Sequence, residues 1–536
     1  MFCGHARLHI AIDWPASFTS TQVFMRTSTS AGPARFHALL DPWVAHQPHR
    51  PALADAHHTY TFAQLQQASM DAAAQLGDWG VLAGDRVLIV GENCAAAGVI
   101  AFALSRLDAW VCIVNGRLSP REIDGIIAHA MPRRVIYTTQ VSPEALQHAQ
   151  RHGAQACQWP GMGTLHLGPL NQAAVPEPCH AAATEQVAAL IYTSGTSGAP
   201  KGVMLTHANL AFVAGTNLRR VGPGDVIYGV LPMAHVVGLS TQLLGSLAAG
   251  ASVVLEPRFS PELLAAALRQ GITSFTGVPA MYARLLDWLR DPGHLLQAPK
   301  LRVISVAGSP LTPALKAAVE TQLRLPLLNG YGLTETGPTI AQVRPEAPRT
   351  DCAVGLPIPG MEARIVDAQG VSVPPGEVGE LWVRGPNVMQ GYYRQDELTR
   401  QVINAEGWFN TGDMARQGDD GALHIAGRTK ELIIRSGFNV YPLEVEQAIN
   451  AFPGVVQSAV VGRTVGHNEE VIAYVEVPAH HPIDEQALRH HLRGQLSPYK
   501  QPAEIHVMAQ LPAAPTGKLL KNVLRQMAEQ GRASHA

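Results

Sequence analysis

The chain has 536 residues, 46% hydrophobic and 15% charged, which excludes intrinsic disorder and allows a sizeable buried core. Forty Lys and Arg against 42 Asp and Glu leave a formal net charge of −2, so there is no basic footprint for nucleic acid. The longest apolar run, from Cys94 to Ser105, is closed by Arg106 and Asp108, short of the roughly 18 residues of a membrane span.

Residues 1–35 lack the basic start and long apolar core of a secretory signal and read as a flexible extension. From Phe36 onward, short apolar runs alternate with helical patterns. Arg86 to Val90 is a predicted buried strand, followed by a helix over Cys94 to Leu107 and a strand over Trp110 to Val114. Ser119 then reads as a helix cap with Pro120 in the first turn. Strand-like runs recur at 225–231, 251–255, 274–276 and 302–306, each before a helical pattern. This alternation predicts α/β layers with parallel sheets. After Tyr331 the texture changes to short strands at 363–366, 380–383 and 423–425 separated by Gly, Pro and Asp turns, which predicts a β subdomain. Past Gly427 a compact α+β pattern runs to about Arg525. The expected division is therefore an extension (1–35), a large domain (36–429) and a small mobile C-terminal domain (430–536).

Six scattered cysteines form no CxxC pair and no HExxH is present, so neither a disulfide framework nor a side-chain metal cluster is expected. Free thiols in a reducing cytoplasm fit this pattern.

The segment Tyr192-Thr193-Ser194-Gly195-Thr196-Ser197-Gly198-Ala199-Pro200-Lys201-Gly202-Val203 follows the apolar run 188–191, which reads as a strand. Its glycines free the backbone to wrap an anion, four hydroxyls can donate and Lys201 adds positive charge, as a polyphosphate cradle needs. It is not a Walker A loop, because Pro200 stands where that pattern has Gly.

At this point the chain resembles the adenylate-forming superfamily of acyl-CoA synthetases, luciferases and peptide-synthetase adenylation domains. Further family-like stretches follow in order: Leu231-Pro232-Met233-Ala234-His235, Asn329-Gly330-Tyr331-Gly332-Leu333-Thr334-Glu335-Thr336-Gly337, and Trp408-Phe409-Asn410-Thr411-Gly412-Asp413. Gly427-Arg428-Thr429-Lys430-Glu431, Ser436-Gly437-Phe438-Asn439-Val440-Tyr441-Pro442 and Pro515-Thr516-Gly517-Lys518 complete the series. The resemblance runs from Phe36 to Arg525.

The resemblance implies ATP, Mg²⁺ and coenzyme A as co-substrates and cofactor, with a small carboxylic acid as the other substrate. It puts Thr193, Ser194, Gly195, Thr196 and Lys201 on the β- and γ-phosphates, Glu335 on Mg²⁺ and Thr334 near the α-phosphate. Tyr331 and Gly308-Ser309-Pro310 are implied to sandwich the adenine, with Asn329 and Gly332 nearby and Asp413 and Arg428 on the ribose. Lys518 is the implied stabiliser of the adenylation step. His235 is implied to gate the carboxylate and the thiol entrance as a packing element. Lys430 matches the hinge and Gly437 the pantetheine tunnel, where a Cβ would narrow the channel.

By motif, the acyl pocket is lined by Val236, Val237, Ser240, Gly277, Ser305, Ala307, Gly308, Gly330, Gly332, Thr339 and Ile340. These residues are small or apolar, with no Arg or Lys, so a second substrate carboxylate is not expected. Val237 and Ser305 stand where hydroxycinnamate ligases have Tyr and Lys, which argues against a phenol reader. The expectation is an ATP- and CoA-dependent ligase for a medium-chain or aromatic monocarboxylate. The alternative is an adenylating enzyme that passes its acyl group to a separate carrier protein. Whether the protein is a monomer or a homodimer is left open.

Overall fold

The helix start read at Ser119 is capped in the structure, a computed structural model that describes residues 35–194, 200–436, 438–465, 468–477, 483–513 and 519–533. The Ser119 Oγ accepts from the Glu122 amide, and Glu122 in turn accepts from the Ser119 amide at 2.8 Å, closing a capping box at helix Pro120–Ala130. Thr61 and Gln64 do the same for helix Phe62–Asp78. The expectations that fall on the N-terminal extension up to residue 34, and on Gly195, Thr196, Gly437 and Lys518, lie outside the described residues.

Two large sheets organise the chain from Arg35 to about residue 395. In the first, the strands Leu327–Tyr331, Val303–Val306, Ser274–Gly277, Val226–Gly229, Ser252–Leu255 and Pro51–Ala54 lie side by side and parallel. Short antiparallel strands finish both edges. In the second, Val187–Ser194, Trp110–Asn115, Arg86–Gly91 and Arg134–Tyr137 are parallel, flanked by antiparallel pairs on either side. The parallel core follows from the strand–helix alternation, since each crossover returns the chain to the same end of the sheet.

Helix Ala95–Arg106 is apolar around nearly its whole circumference, and all but its last residue are buried. It belongs to one apolar cluster with Leu53 and Val253 of the first sheet and Val87 and Ile89 of the second, so it fills the space between the sheets. A Cβ on Gly98 would come within 2.8 Å of the Leu53 side chain, which is how closely helix and sheet approach.

The predicted β subdomain is a four-stranded antiparallel sheet of Glu362–Val366, Val378–Arg384, Phe409–Gln417 and Leu423–Arg428. Sheet membership changes after the turn Thr429–Glu431. A hairpin (Ile433–Arg435, Phe438–Val440) and a three-stranded sheet (Gln457–Val465, Asn468–Glu476, Glu504–Met508) follow, with helices Pro442–Asn450, Glu485–Gln495 and Lys521–Ala533. No helix among the described residues is long and apolar enough to cross a membrane.

Candidate active site

Several residues singled out in the sequence lie at or just after the carboxyl ends of parallel strands, where ligands of open α/β sheets bind: Thr193 on Val187–Ser194, Gly277 on Ser274–Gly277, Ala307 and Gly308 after Val303–Val306, and Gly330 and Tyr331 on Leu327–Tyr331. Thr193 and Lys201 are cross-strand partners in an antiparallel hairpin formed by Val187–Ser194 and Pro200–Thr206. The second of these strands was not foreseen. It carries Lys201 back beside Thr193, so hydroxyl and ammonium flank one hairpin end.

A short strand, Gly391–Tyr392, pairs with Val203 and Met204 of the same hairpin. From there Tyr392 donates a 2.8 Å hydrogen bond to Glu335 Oε1, and its ring lies 5.6 Å from the Lys201 ammonium. The Met389 amide also donates to the Glu335 carbonyl at 2.8 Å. Thus Tyr392 joins the phosphate-type loop to the acid expected to hold Mg²⁺. It was missed in the sequence because 57 residues separate it from Glu335 and no short-range pattern marks the pair. Burial, then the neighbouring Glu335, push the Tyr392 phenol well above its ordinary range, so it stays a donor. Mg²⁺ is commonly held by one or two carboxylates with phosphate oxygens, and Glu335, partly exposed and oriented through Oε1 by Tyr392, is a donor of that kind. Among the described residues no group of three or more His, Cys, Asp or Glu is placed to hold a metal ion by itself.

Glu335 sits in the turn Thr334–Thr336. Its approach is set by Gly332, where a Cβ would stand 1.6 Å from the Pro338 carbonyl oxygen, so no other residue fits. Ser240, named for the acyl pocket, donates to the Gly337 carbonyl at 2.6 Å and ties this turn to the π-helical segment Val237–Gly245. Its hydroxyl is therefore engaged in holding the loop. Asn387 likewise donates to the carbonyls of Thr336 and Thr339, both at 2.6 Å.

The nucleotide side forms a second group. Asp413, only 3% exposed, accepts from the Tyr331 hydroxyl and from Arg428 Nε at 2.8 Å, and it is the register partner of Arg428 in the β subdomain. Burial and then Asp413 hold the Tyr331 phenol well above its ordinary range. Gly308, Ser309 and Pro310 follow strand Val303–Val306 and are at least partly open to solvent. Asn329 is placed differently from the expectation. Its amide nitrogen donates to the carbonyls of Cys352 (2.9 Å) and Ala353, so it braces the loop behind the site.

His235, expected to gate the carboxylate and the thiol entrance, is exposed, and its Nδ1 accepts from the Val237 amide at 3.4 Å; Val236, just before the π-helical segment, is the residue buried in the core. Lys430 is exposed in the turn Thr429–Glu431. The adjacent Glu431 pairs with Lys521 at 2.7 Å, and Lys521 also meets Glu446 at 2.8 Å, which joins the turn to the last helix and to helix Pro442–Asn450.

The acyl side needs one correction. Gly277, Ser305, Ala307 and Gly330 do lie at neighbouring strand ends, with the Ala307 amide donating to the Gly277 carbonyl and Ile340 to Tyr331. The expected lining had no Lys or Arg, yet Arg220 donates to the Ser305 hydroxyl. Arg220 lies 85 residues away in sequence, in a connection that carries no motif, and only the fold brings it there.

Comparison with known proteins identifies the family. Residues 40–393 match the AMP-binding enzyme family and residues 444–518 match the AMP-binding enzyme C-terminal domain. The chain is 32% identical over 503 residues to a sulfoacetate–CoA ligase of Cupriavidus necator, covering 90% of this chain and 96% of the relative. It is 33% identical over 484 residues to a feruloyl-CoA synthase of an Amycolatopsis species, covering 89% and 96%. Among solved structures, ATP-bound MatB from Rhodopseudomonas palustris superposes with a TM-score of 0.78 at 31% identity, covering 92% of this chain and 98% of that one.

Proposed function

Because the chain belongs to the AMP-binding enzyme family, as an AMP-forming acid–CoA ligase that uses ATP, Mg²⁺ and CoA, we propose that it activates a carboxylic acid of medium-chain or aromatic size. The observation that carries the site reading is the convergence of Lys201, Tyr392 and Glu335 on one side of the strand ends with Tyr331, Asp413 and Arg428 on the other.

In this reading Thr193, Ser194 and Lys201 hold the β- and γ-phosphates, while Tyr331 and the 308–310 turn hold the adenine. Asp413 and Arg428 take the ribose hydroxyls. Glu335, oriented by Tyr392, holds Mg²⁺, which when bound neutralises charge on the phosphate oxygens. A carboxylate oxygen of the acid attacks the α-phosphorus and pyrophosphate leaves with the electron pair of the broken P–O bond. Thr334 lies beside that centre, and Lys518 stabilises the charge that develops there. In the second step the thiol sulfur of CoA bonds to the acyl carbon as AMP departs. The turn at Lys430 is where the C-terminal domain pivots between the two steps, with Gly437 lining the thiol path.

The relatives bear names as different as sulfoacetate, long-chain fatty acid, indoleacetate and feruloyl, so they support the chemistry and leave the acid to the pocket. The test is release of pyrophosphate and AMP with ATP–Mg²⁺ and a panel of acids, with and without CoA. Acid-dependent release that accelerates with CoA and yields a thioester supports the proposal. Release indifferent to CoA transfers support to the carrier-protein alternative, and we place the protein in the cytoplasm in either case.

A further inference from the structure

The acyl side of the site contains a cation that no carboxylate among the described residues neutralises. Arg220 follows the turn Asn217–Arg219, donates through Nη2 to Ser305 Oγ and through Nη1 to Gln342 Oε1 at 3.4 Å. Ser305 belongs to the expected acyl lining, and Gln342, which the sequence did not single out, neighbours it through Gly330. Ser305 lies within strand Val303–Val306, and Gln342 is the register partner of Gly330. These acceptors are neutral, so they orient the guanidinium without compensating its charge.

Burial bears this out, since it pulls the Arg220 guanidinium down to about 10, with the Tyr282 hydroxyl the neighbour that opposes it. Buried charges in folded proteins are normally paired, and an Arg left half-desolvated with neutral acceptors is prepared for an anion. There is also room. Arg220 forms part of the wall of a cavity of about 350 Å³, together with Phe212, Arg219, Gln342 and Arg344. Glu346, exposed, is the one acid among the described residues of that wall, so the local charge favours an anion.

We propose that Arg220 selects for a second anionic group at the far end of the acid, a carboxylate or sulfonate, so that the substrate is a dianion whose other carboxylate is adenylated. The guanidinium presents a planar fork that matches either group with two parallel hydrogen bonds, a geometry Lys cannot reproduce. Ser305 and Gln342 fix the fork, and the aliphatic or aromatic body of the acid runs past Gly330 between the two ends. This inference rests on the ligase reading and replaces the expectation of a monocarboxylate.

The test compares matched acids: hexanoate against adipate and a sulfo-substituted hexanoate, and benzoate against terephthalate, each read as CoA thioester formed. The wild-type enzyme is expected to show kcat/KM at least about tenfold higher for the dianionic member of a pair. Arg220→Gln should lower the dianion rates by about 10²–10³-fold, mainly through KM, and change the neutral-tailed acids by less than about threefold. Arg220→Lys should retain part of the preference, because it keeps the charge and loses the fork. A wild-type preference for the neutral-tailed acids, or equal losses for both members in Arg220→Gln, would overturn the proposal. If neither variant folds, the wild-type preference decides alone. Thioester from neutral-tailed acids only refutes the role of Arg220, whereas no thioester from any acid refutes the ligase reading and this inference with it.

Discussion

Replacing Tyr392 by Phe removes one oxygen atom and isolates what its hydrogen bond contributes to the Glu335 site. The bond is 2.8 Å long, Tyr392 is 5% exposed, and its phenol keeps its proton throughout the working range. Phe retains the ring that faces Lys201, so the 5.6 Å cation–ring contact survives. A hydrogen bond to a charged group contributes about 1.5–3 kcal/mol. At about 1.4 kcal/mol per tenfold, that is roughly a 10–100-fold loss, the same range seen when a ligand's outer partner is removed from a metal site. The assay is acid-dependent ATP–pyrophosphate exchange across a Mg²⁺ titration, with thermal melts to show that the fold persists. Tyr392→Phe should raise the half-saturating Mg²⁺ concentration 10–100-fold, by that estimate, while most of the rate returns at high Mg²⁺. Glu335→Gln should not recover at any concentration. A Tyr392→Phe enzyme with wild-type Mg²⁺ dependence would refute the idea that this bond orients a metal ligand.

Three further outcomes follow from the same geometry. Asp413→Asn leaves Arg428 without its carboxylate and should raise KM for ATP by about 10–100-fold with a smaller effect on KM for the acid, measured by the same exchange. Gly332→Ala forces a Cβ into the Pro338 carbonyl, so the Glu335 loop must shift, and exchange should fall by about 10²-fold even if circular dichroism is unchanged. Burial raises the Glu256 carboxyl to about 7, above its ordinary value, so its stability contribution is complete at low pH and is lost as pH rises through about 7. Glu256→Gln should therefore gain about 1–3 kcal/mol relative to wild type between pH of about 5 and 8 in urea melts; an identical difference at both values would count against it.

The motif residues were named through the family resemblance, while local chemistry was enough to read the strand–helix alternation of the large domain, the Ser119 cap and the β subdomain after Tyr331. Each depends on a handful of neighbouring residues: a period of two or 3.6, a capping hydroxyl, or a glycine-rich turn. Asp413 and Arg428 were also named from their motifs, although their pairing comes from the register of two antiparallel strands. What the sequence hid were contacts made over long separations. Tyr392 reaches Glu335 through a two-residue strand added to the edge of the phosphate hairpin. Arg220 reaches Ser305 because a motif-free connection packs across the ends of the first sheet. The π-helical segment after His235 leaves that side chain exposed and buries Val236, a choice of direction no local pattern marks. Side-chain direction and charge pairing are settled by packing between distant segments, and that is how the fold sets Arg220, with no carboxylate partner among the described residues, against Ser305 of the expected acyl lining.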